Sequence, residues 1–579
     1  MNPYMTTFLI AAGLVLLFII WIFYEERKRK KTILRNIRRN YGAPSERQYE
    51  TGDMEKISHY FRRRCRQEFV IDDITWNDLD MDRVYQMVNQ TMSSPGEDVL
   101  YDMMRRPLFS QEEVDDRERL IDFFSSHAKE REEMQLLLSK VGKTRLGSLS
   151  DTVLELNEAP KASVGIHIVM LALLLGSLAA ALFVYPVLGF FLLMVLMIVN
   201  IVIYYTGRDR KLIEAYLDCF AHLFGMLSAA DDMEKVKWPE VKKQMDAISD
   251  GKQAFRKIRR KAFFLTGKTS DGGDLLQVFM DYVRMVFHVD ILIYNSLLRE
   301  IQGKTDKITE LLDNIGELDA AISVSSFREM LSLQCRPQFV PGNQGKITLD
   351  VEDLYHPLLH EAVANSIHVS GGILVTGSNA SGKSTFLKNV AVNSILAQTI
   401  CTCTCASYRA PFLKVMTSMA LRDDLSGGES YFIVEIKSLK RILDESKKEE
   451  PLLCIIDEVL RGTNTIERIA ASSRILKELS RKWVLPFAAT HDIELSYILD
   501  GIYTNYHFSE DVREKKVIFD YILKKGRATT RNAIRLLDML GYDPKLVEDA
   551  KNAAVSFEQK LLFTGWGNDR CFVGNCLKR

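Results

Sequence analysis

Ten consecutive residues, Thr376-Gly377-Ser378-Asn379-Ala380-Ser381-Gly382-Lys383-Ser384-Thr385, follow the spacing G-x-x-x-x-G-K-[ST]. That spacing suits phosphate. Glycines let backbone N–H groups approach phosphate oxygens, Lys383 neutralises their charge, and Ser384 offers a hydroxyl to Mg²⁺. The flanking elements must hold this loop in place. Gly371-Gly372 precedes the apolar run Ile373-Leu374-Val375, which reads as a strand, and Phe386 to Gln398 is apolar at helical spacing. Lys383 to Thr385 therefore open a helix whose N-terminal dipole also favours phosphate.

Three further segments follow in order: Asp423 to Ser430 (DDLSGGES), Ile455-Ile456-Asp457-Glu458, and Ala489-Thr490-His491-Asp492. The glycine-rich segment precedes a helical pattern over Phe432 to Leu443. Pro451 to Ile456 reads as a buried strand, and Val484 to Ala489 as another. This order is similar to that of the ABC-type ATPases, in which the signature helix of one subunit reaches the γ-phosphate held by another. On that pattern Asp457 joins the Mg²⁺ shell, Glu458 acts as general base on the attacking water, and His491 senses the γ-phosphate. A lone histidine is more often a satisfied loop residue. Four segments in the right order outweigh that reading.

The chain has 579 residues, 47% hydrophobic and 26% charged, which points to several domains with ample core. Lys and Arg number 76 against 76 Asp and Glu, so a nucleic-acid-binding surface would have to be local. The nine cysteines are scattered apart from Cys401, Cys403 and Cys405, whose alternation matches neither zinc nor thioredoxin spacing. They read as buried small residues, and nothing calls for disulfides.

Met5 to Tyr24 is apolar without a charge until Glu25, and Arg27-Lys28-Arg29-Lys30-Lys31 follows at once. About 20 such residues cross a hydrocarbon core of roughly 30 Å. No Lys or Arg precedes the run, which argues against a secretory signal. The positive-inside rule then puts the N-terminus outside and the rest of the chain in the cytosol. Val164 to Tyr205 contains no Asp, Glu, Lys or Arg and is long enough for two spans, with Tyr185-Pro186 as the turn. The expectation is a multi-pass cell-membrane protein with three spans in contact with a lipid bilayer. Only His167 and Asn200 stand out as clearly polar within the hairpin. Basic clusters at Arg62-Arg63-Arg64 with Arg66, and at Lys257-Arg259-Arg260-Lys261, read as solvated or membrane-facing helix surfaces, with phosphate contact as the alternative.

Between these segments the apolar positions recur at helical spacing from Asp73 to Phe124, with breaks at Ser94-Pro95-Gly96 and Arg106-Pro107. Leu212 to Ala229 and Asp274 to Leu312 repeat the pattern. Long amphipathic helices are expected there.

Taken together, these residues resemble the MutS family of DNA mismatch-repair ATPases. TGSNASGKST is similar to that family's TG-x-N-x-x-GKST, including Asn379. DDLSGGESYFIVE resembles its signature segment, IIDEVLRGTNT its Asp-Glu strand and following turn, and ATHDIEL its Ala-Thr-His segment. Glu317-Leu318-Asp319, Cys335-Arg336-Pro337-Gln338-Phe339 and His356-Pro357-Leu358-Leu359 look like its lever ends and the lead-in to its ATPase domain. Tyr521 to Ala550 looks like its C-terminal helical element. The resemblance implies that Gly377, Ser378, Asn379, Ala380, Ser381, Gly382, Lys383, Ser384 and Thr385 hold ATP, with Ser384 and Asp457 at Mg²⁺. It implies that Glu458, His491 and Asp457 activate water and sense the γ-phosphate. Ser430 would act across a homodimer or heterodimer on the partner's nucleotide, with Arg461 to Thr465 at the interface.

The family's mismatch reader wedges a Phe beside a Glu into the duplex from an N-terminal domain. Only about forty residues separate the first span from the core-like region here, so that domain is expected to be missing. No Phe or Tyr lies between Glu361 and Thr376 to meet an adenine. The expected fold is a C-terminal α/β ABC-type P-loop ATPase domain preceded by an all-α lever and core-like region carrying transmembrane helices. The expected divisions are an anchor with its basic segment (1–31), a helical core-like domain (32–163), a hairpin (164–205), a lever region (206–330), the ATPase domain (331–526) and a helical dimerisation element with tail (527–579). The expected function is a membrane-anchored MutS-like ATPase acting on DNA, with a membrane mechanochemical or signalling ATPase as the alternative and a transporter subunit as a weaker third.

Overall fold

A computed structural model of the chain describes residues 3–64, 68–144, 149–256, 282–341, 347–378, 381–419, 431–460, 463–513, 516–528, 534, 537 and 541–563. The backbone forms two compact units. One comprises Met1–Pro337 with Ile395–Thr404, the other Gln338–Ser394 with Cys405–Arg579.

The first unit is helical. Helix α1 (Pro3–Asn40) runs without interruption through the apolar stretch and the basic cluster. Its C-terminal end is tied down by Arg38, whose guanidinium donates to both carboxylate oxygens of Glu132 at 2.8 and 2.7 Å. There follow α2 (Asp53–Arg63), α3 (Asp73–Asp78), α4 (Met81–Val88), α5 (Ser94–Arg105), α6 (Gln111–Ser126), α7 (Ala128–Val141) and α8 (Leu149–Glu155). Asp72, Ser93 and Ser110 cap α3, α5 and α6 by accepting from backbone N–H groups that have no partner within the helix. Ser94-Pro95-Gly96, read from sequence as a break, is instead the first turn of α5. Proline is tolerated there because a first-turn N–H would be unpaired anyway. Of the arginine cluster, Arg63 and Arg64 reach Asp151 and Asp313 at 3.0 and 2.6 Å, so they tie helices together. Arg66 and residues 257–261 lie outside the described residues.

Helices α9 (Gly165–Phe183) and α10 (Pro186–Thr206) form a hairpin, and each is long and apolar enough to cross a membrane. Its tip is bare, with Phe183 84% and Val187 87% exposed. Then come α11 (Arg208–Met233), α12 (Lys242–Gln253), α13 (Val289–Ile301) and α14 (Thr305–Met330). The pattern from Asp274 to Leu312 does not make one long helix. Residues 274–281 lie outside the described residues, and left-handed backbone at His288 (φ 50°) and Gly303 (φ 79°) interrupts the chain before α13 and α14.

Helix α14 is the axis of this unit, with Ile308, Leu311, Ile315, Leu318, Ile322 and Phe327 all buried. It crosses α5 so closely that a Cβ on Gly316 would lie 2.4 Å from Val99 Cγ2 and 2.5 Å from Pro95 O. Asp319 accepts from the N–H groups of Met92 and Ser93 at 3.0 and 2.8 Å. Arg328 donates to Glu118 Oε2, the Cys401 carbonyl and Thr402 Oγ1 at 2.6, 2.7 and 2.8 Å.

The second unit is α/β. Its order is β1 (Gln338–Phe339), β2 (Leu349–Leu354), β3 (Asn365–Val369), β4 (Ile373–Thr376), α15 (Lys383–Ile400), β5 (Ser407–Ala410), β6 (Lys414–Ser418) and α16 (Tyr431–Glu445). It continues with β7 (Leu452–Asp457), α17 (Thr465–Leu479), β8 (Val484–Thr490), α18 (Ile493–Ile498), β9 (Thr504–Arg513), β10 (Lys516–Lys525) and α19 (Pro544–Phe563). The last turn of α15 groups with the helical unit. Strands β4, β7 and β8 are apolar up to their last residues, Thr376, Asp457 and Thr490, because both faces of a parallel sheet are covered. The larger sheet runs β10-β9-β4-β8-β7-β6, parallel except for β10, and a smaller mixed sheet runs β1-β5-β2-β3. Tyr521 to Lys525 belong to β10, so the C-terminal helical element does not begin at Tyr521. Its described helix is α19.

Candidate nucleotide site

The site is built from the ends of neighbouring parallel strands. In the sheet β4 lies beside β8 and β8 beside β7, with Thr376 opposite Thr490 and Asp457 opposite Ala489. The loop after β4, the acidic pair ending β7 and the histidine after β8 therefore emerge side by side. Ligands of open α/β sheets sit at this carboxyl edge of the strands.

Lys383 is buried, and its ammonium donates to the carbonyls of Gly377 and Ser378 at 2.8 and 2.7 Å. It also lies 3.5 Å from His491 Nε2. His491 Nε2 is 2.9 Å from Glu458 Oε1. His491 Nε2 thus stands between the Lys383 ammonium and the Glu458 carboxylate, and as Nε2–H it donates to the nearer carboxylate. Gly377 (φ 151°) and Gly382 (φ 104°) bracket the loop with backbone that side chains rarely adopt. A Cβ on Gly377 would also lie 2.9 Å from Ser381 Oγ. Ser384 and Thr385 are exposed at the start of α15, where unpaired N–H groups and the helix dipole favour an anion.

Glu458 is itself in left-handed backbone (φ 61°), and its N–H donates to the Ala489 carbonyl at 3.0 Å. Leu460 (φ 60°) repeats that conformation, its N–H held by Glu435 on α16 at 2.5 Å. Arg468 grips both carboxylate oxygens of Asp492 at 2.8 and 2.6 Å, fixing the chain just after His491. Asn464 caps α17 by accepting from the Glu467 N–H at 3.0 Å. Ser384 and Asp457 offer a hydroxyl and a carboxylate, hard oxygen donors of the kind Mg²⁺ takes.

Asn379, Ala380, Ser430, Arg461 and Gly462 lie outside the described residues. Two residues at the loop went unnoticed in the sequence. Tyr521 on β10 is 44% exposed, and a Cβ on Gly382 would lie 3.1 Å from its ring. Glu510 on β9 accepts from the Ser378 hydroxyl. Neither carries a local spacing signal, since the sheet alone brings them to the loop.

The class defined is a mixed α/β unit with a glycine-rich loop between a buried parallel strand and a helix, and acidic and histidine side chains at adjacent strand ends. Comparison with known proteins agrees. The family described as MutS domain V matches residues 373–558, from β4 into α19. Human MutS protein homolog 4 is 29% identical over 300 residues, covering 48% of this chain and 31% of its own. The DNA mismatch repair protein MutS of Aquifex pyrophilus is 30% identical over 281 residues, covering 46% and 32%. The protein of the same name from Natronomonas pharaonis is 26% identical over 325 residues, covering 53% and 36%. The chain thus spans about a third of the length of these relatives.

Proposed function

We propose that this chain is a membrane-anchored, MutS-like ATPase of the ABC type that binds and hydrolyses ATP as a dimer and acts on DNA, at altered or branched structures rather than simple mismatches. The observation that supports it best is the convergence of Lys383, Glu458 and His491 at one sheet edge. Phosphate oxygens replace the two loop carbonyls on the Lys383 ammonium when nucleotide binds. Glu458 takes the proton of the attacking water, and His491 Nε2–H holds the carboxylate in place and then meets the γ-phosphate. Ser384 and Asp457 would hold Mg²⁺, which when bound would supply charge neutralisation on the phosphate oxygens. Tyr521 gives the base an aromatic face beside Gly382. Ser430, directly before α16, acts on nucleotide bound by the second copy, whether an identical or a related chain.

Three forms of the protein test the site. Lys383→Ala is expected to lose nucleotide binding. Glu458→Gln is expected to keep ATP bound in a closed dimer with turnover stopped. Equal phosphate release from these variants and the native chain would refute the assignment. Nucleic acid captured on detergent-solubilised protein, with salt-sensitive affinity, tests the DNA arm.

A second reading is motivated by the bare apolar hairpin: the same ATPase moves or senses a bilayer partner instead of DNA. Three spans with the N-terminus outside and the ATPase in the cytosol fit both readings.

A further inference from the structure

Two cysteines far apart in the chain are held opposite one another in the helical unit. Cys335 follows α14, and Cys403 follows α15, whose last turn belongs to the same unit. Each donates its backbone N–H to the other's carbonyl at 3.0 Å, forming an isolated antiparallel bridge. Both are thiols, and their Sγ atoms lie within 4.8 Å of each other. Cys403 is fully buried, whereas Cys335 is partly open to solvent. The chain on each side of the bridge is anchored. Arg336 reaches Glu118 Oε1 at 2.8 Å, and Arg328 on α14 donates to the Cys401 carbonyl at 2.7 Å.

An antiparallel pair that exchanges both N–H bonds has Cα atoms about 5.5 Å apart, with both side chains on one face. A disulfide spans Cα separations of about 4.4–6.8 Å, so the backbone already stands where the bond needs it. Opposed Cβ atoms at about 4.5–5.5 Å must close to about 3.5–4.5 Å, a small inward pull that leaves the bond easy to reduce. Peroxide is small and neutral, so it reaches a half-buried thiol. The Cys335 sulfur, as thiolate, attacks one peroxide oxygen. The O–O bond breaks, water leaves, and Cys335 becomes a sulfenic acid. The Cys403 sulfur then attacks the Cys335 sulfur. An S–S bond forms, the S–O bond breaks, and the hydroxyl leaves with the Cys403 proton as water. Two thiols and one peroxide thus give one disulfide and two waters.

We propose that Cys335 and Cys403 form a peroxide-sensitive disulfide that staples the segment after α14 to the end of α15, and that thiol reductants reverse it. In reducing compartments disulfides are mostly transient and redox-sensing, and a bond opened by thiol exchange fits that use. Nothing in this pair depends on the nucleotide chemistry.

The test treats full-length protein in detergent, reduced and then freed of reductant, with hydrogen peroxide. Remaining thiols are alkylated before peptide mapping. A cross-linked Cys335–Cys403 peptide pair is expected, with loss of alkylation at both positions and full recovery in dithiothreitol. Amide exchange over residues 396–403 is expected to slow roughly tenfold in the oxidised form, because the cross-link removes the openings that separate the bridge. Cys403→Ser is expected to leave Cys335 as a sulfenic acid that dimedone traps, and Cys335→Ser to leave Cys403 as a thiol. Mapping of the native chain decides the pairing whether or not either variant folds. Full alkylation of Cys335 and Cys403 after peroxide, or pairing of Cys335 with Cys405 instead, would overturn the proposal. So would a stoichiometric transition metal on the reduced native protein.

Discussion

Glu458 combines a strained backbone with an aligned carboxylate. Left-handed backbone costs a non-glycine residue about 1–3 kcal/mol, and that cost is retained where geometry matters more than stability. Here the geometry is the 2.9 Å contact to His491 together with the N–H bond to the Ala489 carbonyl. Asparagine tolerates this conformation but cannot take a proton. Glu458→Asn is therefore expected to unfold at an equal or higher temperature, by the equivalent of about 1 kcal/mol, while phosphate release falls by about 10²–10⁴-fold. Loss of both stability and turnover would mean that the carboxylate is structural.

At the scale of elements, the crossing of α5 and α14 holds the helical unit together. Alanine at Gly316 gains about 1 kcal/mol of helix propensity but forces the helices apart, and overpacking costs about 1–3 kcal/mol. Gly316→Ala is expected to lower the melting temperature, and an unchanged value would show that the crossing relaxes freely. Asp98 on α5 is buried with Oδ2 lacking a partner among the described residues. Burial, aided by the nearby charges of Asp151 and Asp102, pushes its carboxyl well above the usual carboxylate range. The folded chain thus keeps a proton that the unfolded chain has lost, so this group's contribution is present at low pH and fades as pH rises through the raised value. Asp98→Asn is expected to gain stability over the native chain at pH 8 and to lose that advantage near pH 4, as read by denaturant midpoints. The same elements show how far the sequence was legible. Helical spacing located α5, α6 and α11, and charge-free apolar length located both hairpin helices. It misjudged Pro95 and the 274–312 stretch, because proline at a first turn and a left-handed histidine are settled by capping and tertiary contact rather than by periodicity.

At the scale of the molecule, an α/β unit similar to MutS domain V shares a chain with a helical unit bearing an apolar hairpin. If the hairpin anchors the chain, removing residues 164–205 and the first apolar stretch together should move the protein from the membrane fraction to the soluble one. ATP turnover of that form then separates the two proposed functions. Unchanged turnover and unchanged DNA capture would favour the DNA-directed reading. Loss of turnover with the hairpin alone deleted would favour the bilayer-directed one.

The sequence alone marks the glycine-rich loop, the acidic pair and the histidine as candidate site residues, because each is a run of adjacent residues whose chemistry is local. It also marked the apolar hairpin, since charge exclusion over such a length is visible without coordinates. Tertiary structure alone decided which of these groups meet. Lys383 and His491 lie 108 positions apart, and His167 and His288 lie 121 apart. Strand order brings the first pair together and helix packing the second, and no spacing along the chain encodes either. The same holds for Tyr521 and Glu510, placed at the loop by sheet register. The sequence therefore specifies the candidate groups, and packing specifies their neighbours.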